Sequence, residues 1–343
     1  MKQCAVLIVL ATGVSACSDK SDAEFRAEVI AAMQATVKDE LDDLVQAARD
    51  LQMAAPSHAW DELGDAVALA QMRDAWRRTR IAYEHVEGAT APLFGALDLA
   101  LDARYDEYLE VLGPGGDHAL FDAAGVTGMH GIERILYALD TRQEIVEFEQ
   151  TLDGYEPAAF PVSDGEAIEF KTGLAQKLLD DASALRAGWQ PAAINIGAAY
   201  QGLVGLMNEQ QRKIDLAATG AEESRYANAT LFDLRNNLAG TKGIYDTFRP
   251  WIQARAMTSD DAIVAKFRAL TTLYGGPPGD ALPRVPSGWS SEHPTSGDLA
   301  TTFGMLWQAV HDNVNASKTG SIVFEMNQVA MTLGFPEFVA DDD

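Results

Sequence analysis

Cysteine is almost missing from this sequence of 343 residues: the two present, Cys4 and Cys17, both fall near the N-terminus. Beyond Cys17 there is no thiol for a disulfide or a zinc–thiolate centre, so any metal must be held by oxygen and nitrogen. Cations are scarce too. Lys and Arg number 26 against 51 Asp and Glu, a formal net charge of −25. So acidic a surface argues against nucleic acid and anionic lipid headgroups as partners and gathers cations nearby, although acidity also simply keeps a protein soluble. After the N-terminus no stretch offers around 18 uninterrupted apolar residues, which excludes a membrane-spanning helix in the body. Alternating strand-like runs are nearly absent, and helical periodicity dominates from Ala23 onward.

What is present begins with a targeting segment. Residues 1–16 carry one early cation, Lys2, then the apolar run Ala5 to Leu10, then small residues leading to Val14-Ser15-Ala16-Cys17. That is the layout of a cleaved secretory signal, and Val-Ser-Ala-Cys matches the bacterial lipoprotein box, in which the cysteine is lipidated and becomes the new N-terminus. The expectation is a signal over 1–16, a lipid on Cys17, a short tether over 17–22, and a periplasmic body held to the cell envelope by that lipid alone.

The remainder is 47% hydrophobic and 22% charged over the whole sequence, enough apolar matter for sizeable cores. Phe25 to Leu51 reads as one long helix, with Val29, Met33, Val37, Leu41, Leu44 and Ala48 at helical steps and Pro56 beyond its end. Further helices are expected from Asp61 or Leu69 to Glu87, from Leu93 to Leu112 and from Thr127 to Leu139. These make an N-terminal bundle over 23–142. A mixed connection over 143–164 leads to a second set: Gly165 to Trp189, Ala192 to Thr219, Leu231 to Met257, Ser259 to Leu273, Gly297 to Asn315 and Ser321 to Leu333. The Gly/Pro-rich stretch from Gly275 to Pro294 is read as a loop. The fold class is therefore all-α, two tandem helical bundles, the second over 165–343.

Chemistry concentrates in Gly128-Met129-His130-Gly131-Ile132-Glu133, which places an imidazole and a carboxylate three residues apart, neighbours on one helical face able to share a metal ion. At about 100° per residue Ile132, Ile135, Leu136 and Leu139 form one stripe, while His130, Glu133 and Tyr137 fall together away from it. On the second helix Trp76, Arg80, Tyr83 and Glu87 share a stripe with Met72, an internal ion pair or part of a site, with Glu84 one step aside as an alternative acid. Asp233, Asn237 and Gly240 adjoin the apolar stripe Leu231, Leu234, Leu238, Tyr245, Phe248 and Ile252, and by spacing alone read as a solvated face.

These residues resemble the imelysin-like family, also known as peptidase family M75, which contains the periplasmic iron-uptake component EfeO. The likeness rests on Gly128–Glu133, matching the family's Gly-x-His-x-x-Glu, on the Trp76 to Glu87 helix, and on Arg225 to Asp233 continuing to Phe248-Arg249-Pro250. It implies a two-domain helical fold with the motif near the domain junction, an envelope location, and a link to iron or copper, with peptidase activity claimed for some members. It carries over His130 and Glu133 as metal ligands, with Glu87, and Arg80, Tyr83, Trp76 and Asp233 as supporting candidates. Asp117 and His118, in the Gly-rich segment before the motif, do not align and are read as loop.

Three activities follow. One imidazole with two carboxylates suits a transition metal, iron first with copper or zinc also served, bound for uptake together with a membrane permease or other uptake component. A metallopeptidase is the alternative, but the zincin pattern needs two histidines on one face, and His58, His85, His118, His293 and His311 lack ligand spacing to His130. The third is a binding module in which the His–Glu pair is only a structural latch.

Overall fold

The computed structural model describes residues 20–112 and 119–340. The expected signal, Cys17 and Asp117–His118 lie outside the described residues. Among the described residues all regular structure is helical and no strand occurs. The first long element, α1 (Asp22–Ala54), starts at a capping box in which Ser21 and Glu24 exchange side-chain and backbone hydrogen bonds. Its stripe from Phe25 through Leu51 is buried throughout, and the chain turns extended at Ala55, just before Pro56.

Next come α2 (Ala66–Glu84) and α3, a single turn (Glu87–Thr90). The second helix thus stops three residues short of Glu87. The run expected over Leu93 to Leu112 is two helices, α4 (Gly95–Asp102) and α5 (Tyr105–Leu112). Their break has a local cause: Ala103 is extended, and the Glu107 carboxylate accepts the Arg104 N–H at 2.9 Å, starting a new helix there. The motif helix α6 (Gly128–Leu136) is buried on every side, and Leu139, placed by periodicity in its apolar stripe, lies past its end and is 58% exposed.

The connection over 143–164 contains a short helix, α7 (Gln143–Glu149), before α8 (Asp164–Glu169) runs through a π turn (Phe170–Leu174) into α9 (Ala175–Gly188). Although its position in the sequence groups α9 with the C-terminal set, it packs against α1, α4 and α6. The remaining helices are α10 (Ile196–Leu216), α11 (Thr230–Tyr274), α12 (Ser296–Leu299), α13 (Thr302–Val314) and α14 (Ile322–Leu333). Two expected helices are joined in α11, which bends at the non-helical Ala256. Residues 275–294 stay non-helical.

Helices α10, α11, α13 and α14 pack together, α2, α6 and α9 pack on α1 or each other, and α1 also reaches α11. There Phe25 stacks on Trp251 with centroids 6.1 Å apart. One apolar core runs continuously through both sets. Asp233, Asn237 and Gly240 are not solvated but buried, because this side of α11 seats on the junction between α2 and α3. Gly240 is what permits it: a Cβ there would lie 2.2 Å from His85 Cα.

Candidate metal centre

The site is assembled around the first turn of α6. Gly128 has φ +83°, and a Cβ on it would lie 2.7 Å from the carbonyl oxygens of both Ala100 and Leu101. Glycine therefore lets α6 begin directly against the last turn of α4, which carries Asp102. Trp76 fixes the same turn from α2 by donating its indole N–H to the Met129 carbonyl at 3.0 Å.

His130 and Glu133, one helical turn apart, meet at 2.8 Å between Nδ1 and Oε2. The other oxygen of Glu133 accepts the backbone N–H groups of Tyr226 at 3.0 Å and Ala227 at 2.8 Å. This pins the segment between α10 and α11 onto α6 and delivers Glu223. His130 Nε2 then lies 3.5 Å from Asp102 Oδ1 and 3.6 Å from Glu223 Oε1, and makes no hydrogen bond although the residue is only 1% exposed. Ligand atoms of Asp102, His130 and Glu223 all lie within 4.8 Å of one another. Bonds of about 2.1 Å around one ion space its ligand atoms by about 3.0–3.4 Å, a spacing that the two distances from His130 Nε2 already approach. No other trio of His, Cys, Asp or Glu converges in this way among the described residues.

Arg80, fully buried, crosses behind this group. Its nitrogens meet Glu84, Asp102, Glu223 at 3.3 Å and Asp233 at 3.3 Å. Glu87 lies to one side, accepting from Asn237 Nδ2 at 2.7 Å, with Lys213 Nζ 3.9 Å away; Lys213 also approaches Glu223 at 3.4 Å. Tyr83 donates to Asp98. A cleft of about 50 Å³, walled by Asp102, Arg104, Glu107, Glu209, Lys213 and Glu223 with the exposed Arg212 at its rim, leads to the two carboxylates.

Charge in the seam is lopsided, and proton affinities show it. Burial and Arg80 push the His130 imidazolium down, but the surrounding carboxylates Asp102, Glu133 and Glu223 outweigh them and its pKa stands well above the ordinary value. Burial alone would raise Glu223, yet Lys213, His130 and Arg80 hold it well below the usual carboxylate range. Asp102 is likewise lowered, Arg80 and His130 overcoming burial. Elsewhere burial wins: Glu87 is raised despite Lys213, Asp233 is raised despite Arg80, and Asp98 is pushed up to about 6.

The structure thus brings His130, Glu133, Arg80 and Asp233 into one contact network, sets Glu87 beside it through Lys213 and Asn237, and uses Trp76 and Tyr83 as supports. Sequence reasoning missed Asp102 and Glu223. The only signals were an acid closing the Leu97–Asp102 run and the paired Glu222-Glu223 shortly before Arg225-Tyr226. The other described histidines are elsewhere: His58 pairs with Asp65, His85 with Glu40, His293 is exposed before α12, and His311 stacks on Trp307.

Comparison with known proteins agrees with this architecture. The iron uptake system component EfeM of Pseudomonas syringae pv. syringae (strain B728a) is 26% identical over 212 residues, 58% of this chain and 60% of that protein. An Efem/EfeO family lipoprotein of Staphylococcus aureus (strain MSSA476) is 25% identical over 205 residues, 60% of this chain and 58% of that protein. The chain therefore matches about 60% of the length of these curated relatives. In fold it is similar to the crystal structure of an imelysin-like protein from Psychrobacter arcticum 273-4, with a TM-score of 0.56 over 94% of this chain and 99% of the other at 15% identity. The profile of the imelysin family, Peptidase M75, matches residues 29–276, and the chain belongs to that family.

Proposed function

We propose that this chain binds a transition-metal ion between Asp102, His130 and Glu223, iron before copper or zinc, and serves metal uptake or homeostasis at the cell envelope. The observation that carries the reading is His130 Nε2, a buried nitrogen without a hydrogen-bond partner, facing two carboxylate oxygens at 3.5 and 3.6 Å. With no ion bound the two carboxylates favour a proton on that nitrogen, and a metal binding there takes the proton's place. Glu133 on the far side of the ring fixes Nδ1 as the protonated nitrogen, the arrangement by which carboxylates orient metal-bound imidazoles. One nitrogen and two hard oxygens, with positions left for water, suit iron. Iron and the envelope are further supported by the names of the relatives, an iron uptake component and a lipoprotein. In this reading Cys17 carries the lipid, and a membrane permease or another uptake component receives the metal.

One observation favours a second reading. Glu133 already joins His130 to the Tyr226–Ala227 backbone, so the pair would serve as a latch even without metal. Elemental analysis of the purified chain, followed by anaerobic ferrous titration of wild type and His130→Ala, separates the two. The metal reading expects one ion per chain in wild type and none in the variant. No stoichiometric binding in either leaves only the latch.

A further inference from the structure

Arg80 is an odd neighbour for a cation site. Its side chain is wholly buried, and two of the oxygens it meets, Asp102 Oδ1 and Glu223 Oε1, are the same atoms that face His130 Nε2. A guanidinium does not lose its charge in a protein, so it cannot make way for a metal by deprotonating. It can shift its hydrogen bonds, however. Glu84, one turn along α2 and already in contact with Arg80, has a second oxygen, Oε2, that is buried and has no hydrogen-bond partner.

We propose that Arg80 is a resident counter-cation that caps the metal affinity of this centre, neutralising Asp102 and Glu223 when no ion is bound and swinging its hydrogen bonds toward Glu84 when one is. The proposal rests on the metal reading above and adds its regulation. Without a cation the buried carboxylates would repel one another; Lys213 and His130 also offset Glu223, but Arg80 is the fixed charge that contacts both and keeps them together. With an ion, the fixed positive charge a few ångströms away weakens the hold. A carrier that must release its cargo needs such a limit. Glu84 is then a positioning residue: it acts on the metal only through Arg80.

The test is ferrous affinity of the full chain under anaerobic conditions, measured by competition with a chromophoric chelator. Arg80→Gln removes the charge and is expected to bind iron at least about tenfold more tightly than wild type, while Arg80→Lys, which keeps it, stays within about threefold. Glu84→Gln removes the negative charge and one of the two oxygens that receive the guanidinium and is expected to weaken binding about three- to tenfold. Melting temperature gives a second readout: Arg80→Gln should melt lower than wild type without iron and gain more from its addition. Unchanged or weaker binding by Arg80→Gln overturns the proposal. Should that variant not fold, wild-type affinity in Glu84→Gln overturns it instead. Absence of binding in wild type and all variants would instead defeat the metal reading itself.

Discussion

Glu133 uses both of its oxygens, one on the His130 ring and one on two backbone N–H groups across the seam. Glu133→Gln would keep the backbone contacts but turn an amide N–H toward Nδ1, so that the neutral ring must carry its proton on Nε2. Metal affinity should fall about 10–100-fold with little change in melting temperature, a combination that titration and thermal unfolding read separately. Asp98 tests the electrostatics of the same neighbourhood. Burial raises its pKa from the ordinary 3.8 to about 6, so the folded state holds a proton that the unfolded chain releases. Its ionised form therefore works against folding above pH 6, and that penalty disappears as pH falls toward 4. Asp98→Asn should stabilise the protein by about 1–2 kcal/mol at pH 7.5, with the gain closing across this window in melts recorded from pH 7.5 to 4.

Among the elements, α6 is buried at every residue. Gly128→Ala would combine a left-handed backbone with a Cβ 2.7 Å from two carbonyl oxygens, forcing α6 away from α4. Destabilisation of about 2 kcal/mol or more and loss of metal binding are expected together, by denaturant unfolding and titration, because the same approach that fits the helix sets His130 beside Asp102. Much of this level was legible in the sequence. The stripes of α1 and α11 were readable because one buried face repeats at helical steps. The break after Asp102 was not, since Leu97, Leu101 and Leu109 keep nearly helical spacing across it and only the Glu107 bond to Arg104 N–H marks a restart. The burial of Asp233 and Asn237 was hidden for a different reason: polar residues on a helix look solvated until a second polar helix face is known to meet them.

For the whole molecule, the centre ties together parts that are distant along the chain: the end of α4, the start of α6 and the segment before α11. A ligand that binds only this folded arrangement stabilises it globally, by about 2.7 kcal/mol at a hundredfold excess over Kd. Ferrous iron should therefore raise the melting temperature of wild type as a single transition and leave His130→Ala unmoved, by calorimetry. This long-range assembly also explains why sequence reading found only half of the candidate site. His130 and Glu133 are close in sequence and show a spacing, whereas Asp102 and Glu223 have none relative to them.

The dispersed origin of these three donors has one more consequence. An extended polypeptide contains no place where they converge, so the proposed centre does not exist before the chain folds. Under the proposed function, loading waits for the final collapse, and the compartment where that collapse happens, through the ions free in it, chooses which element the protein first meets.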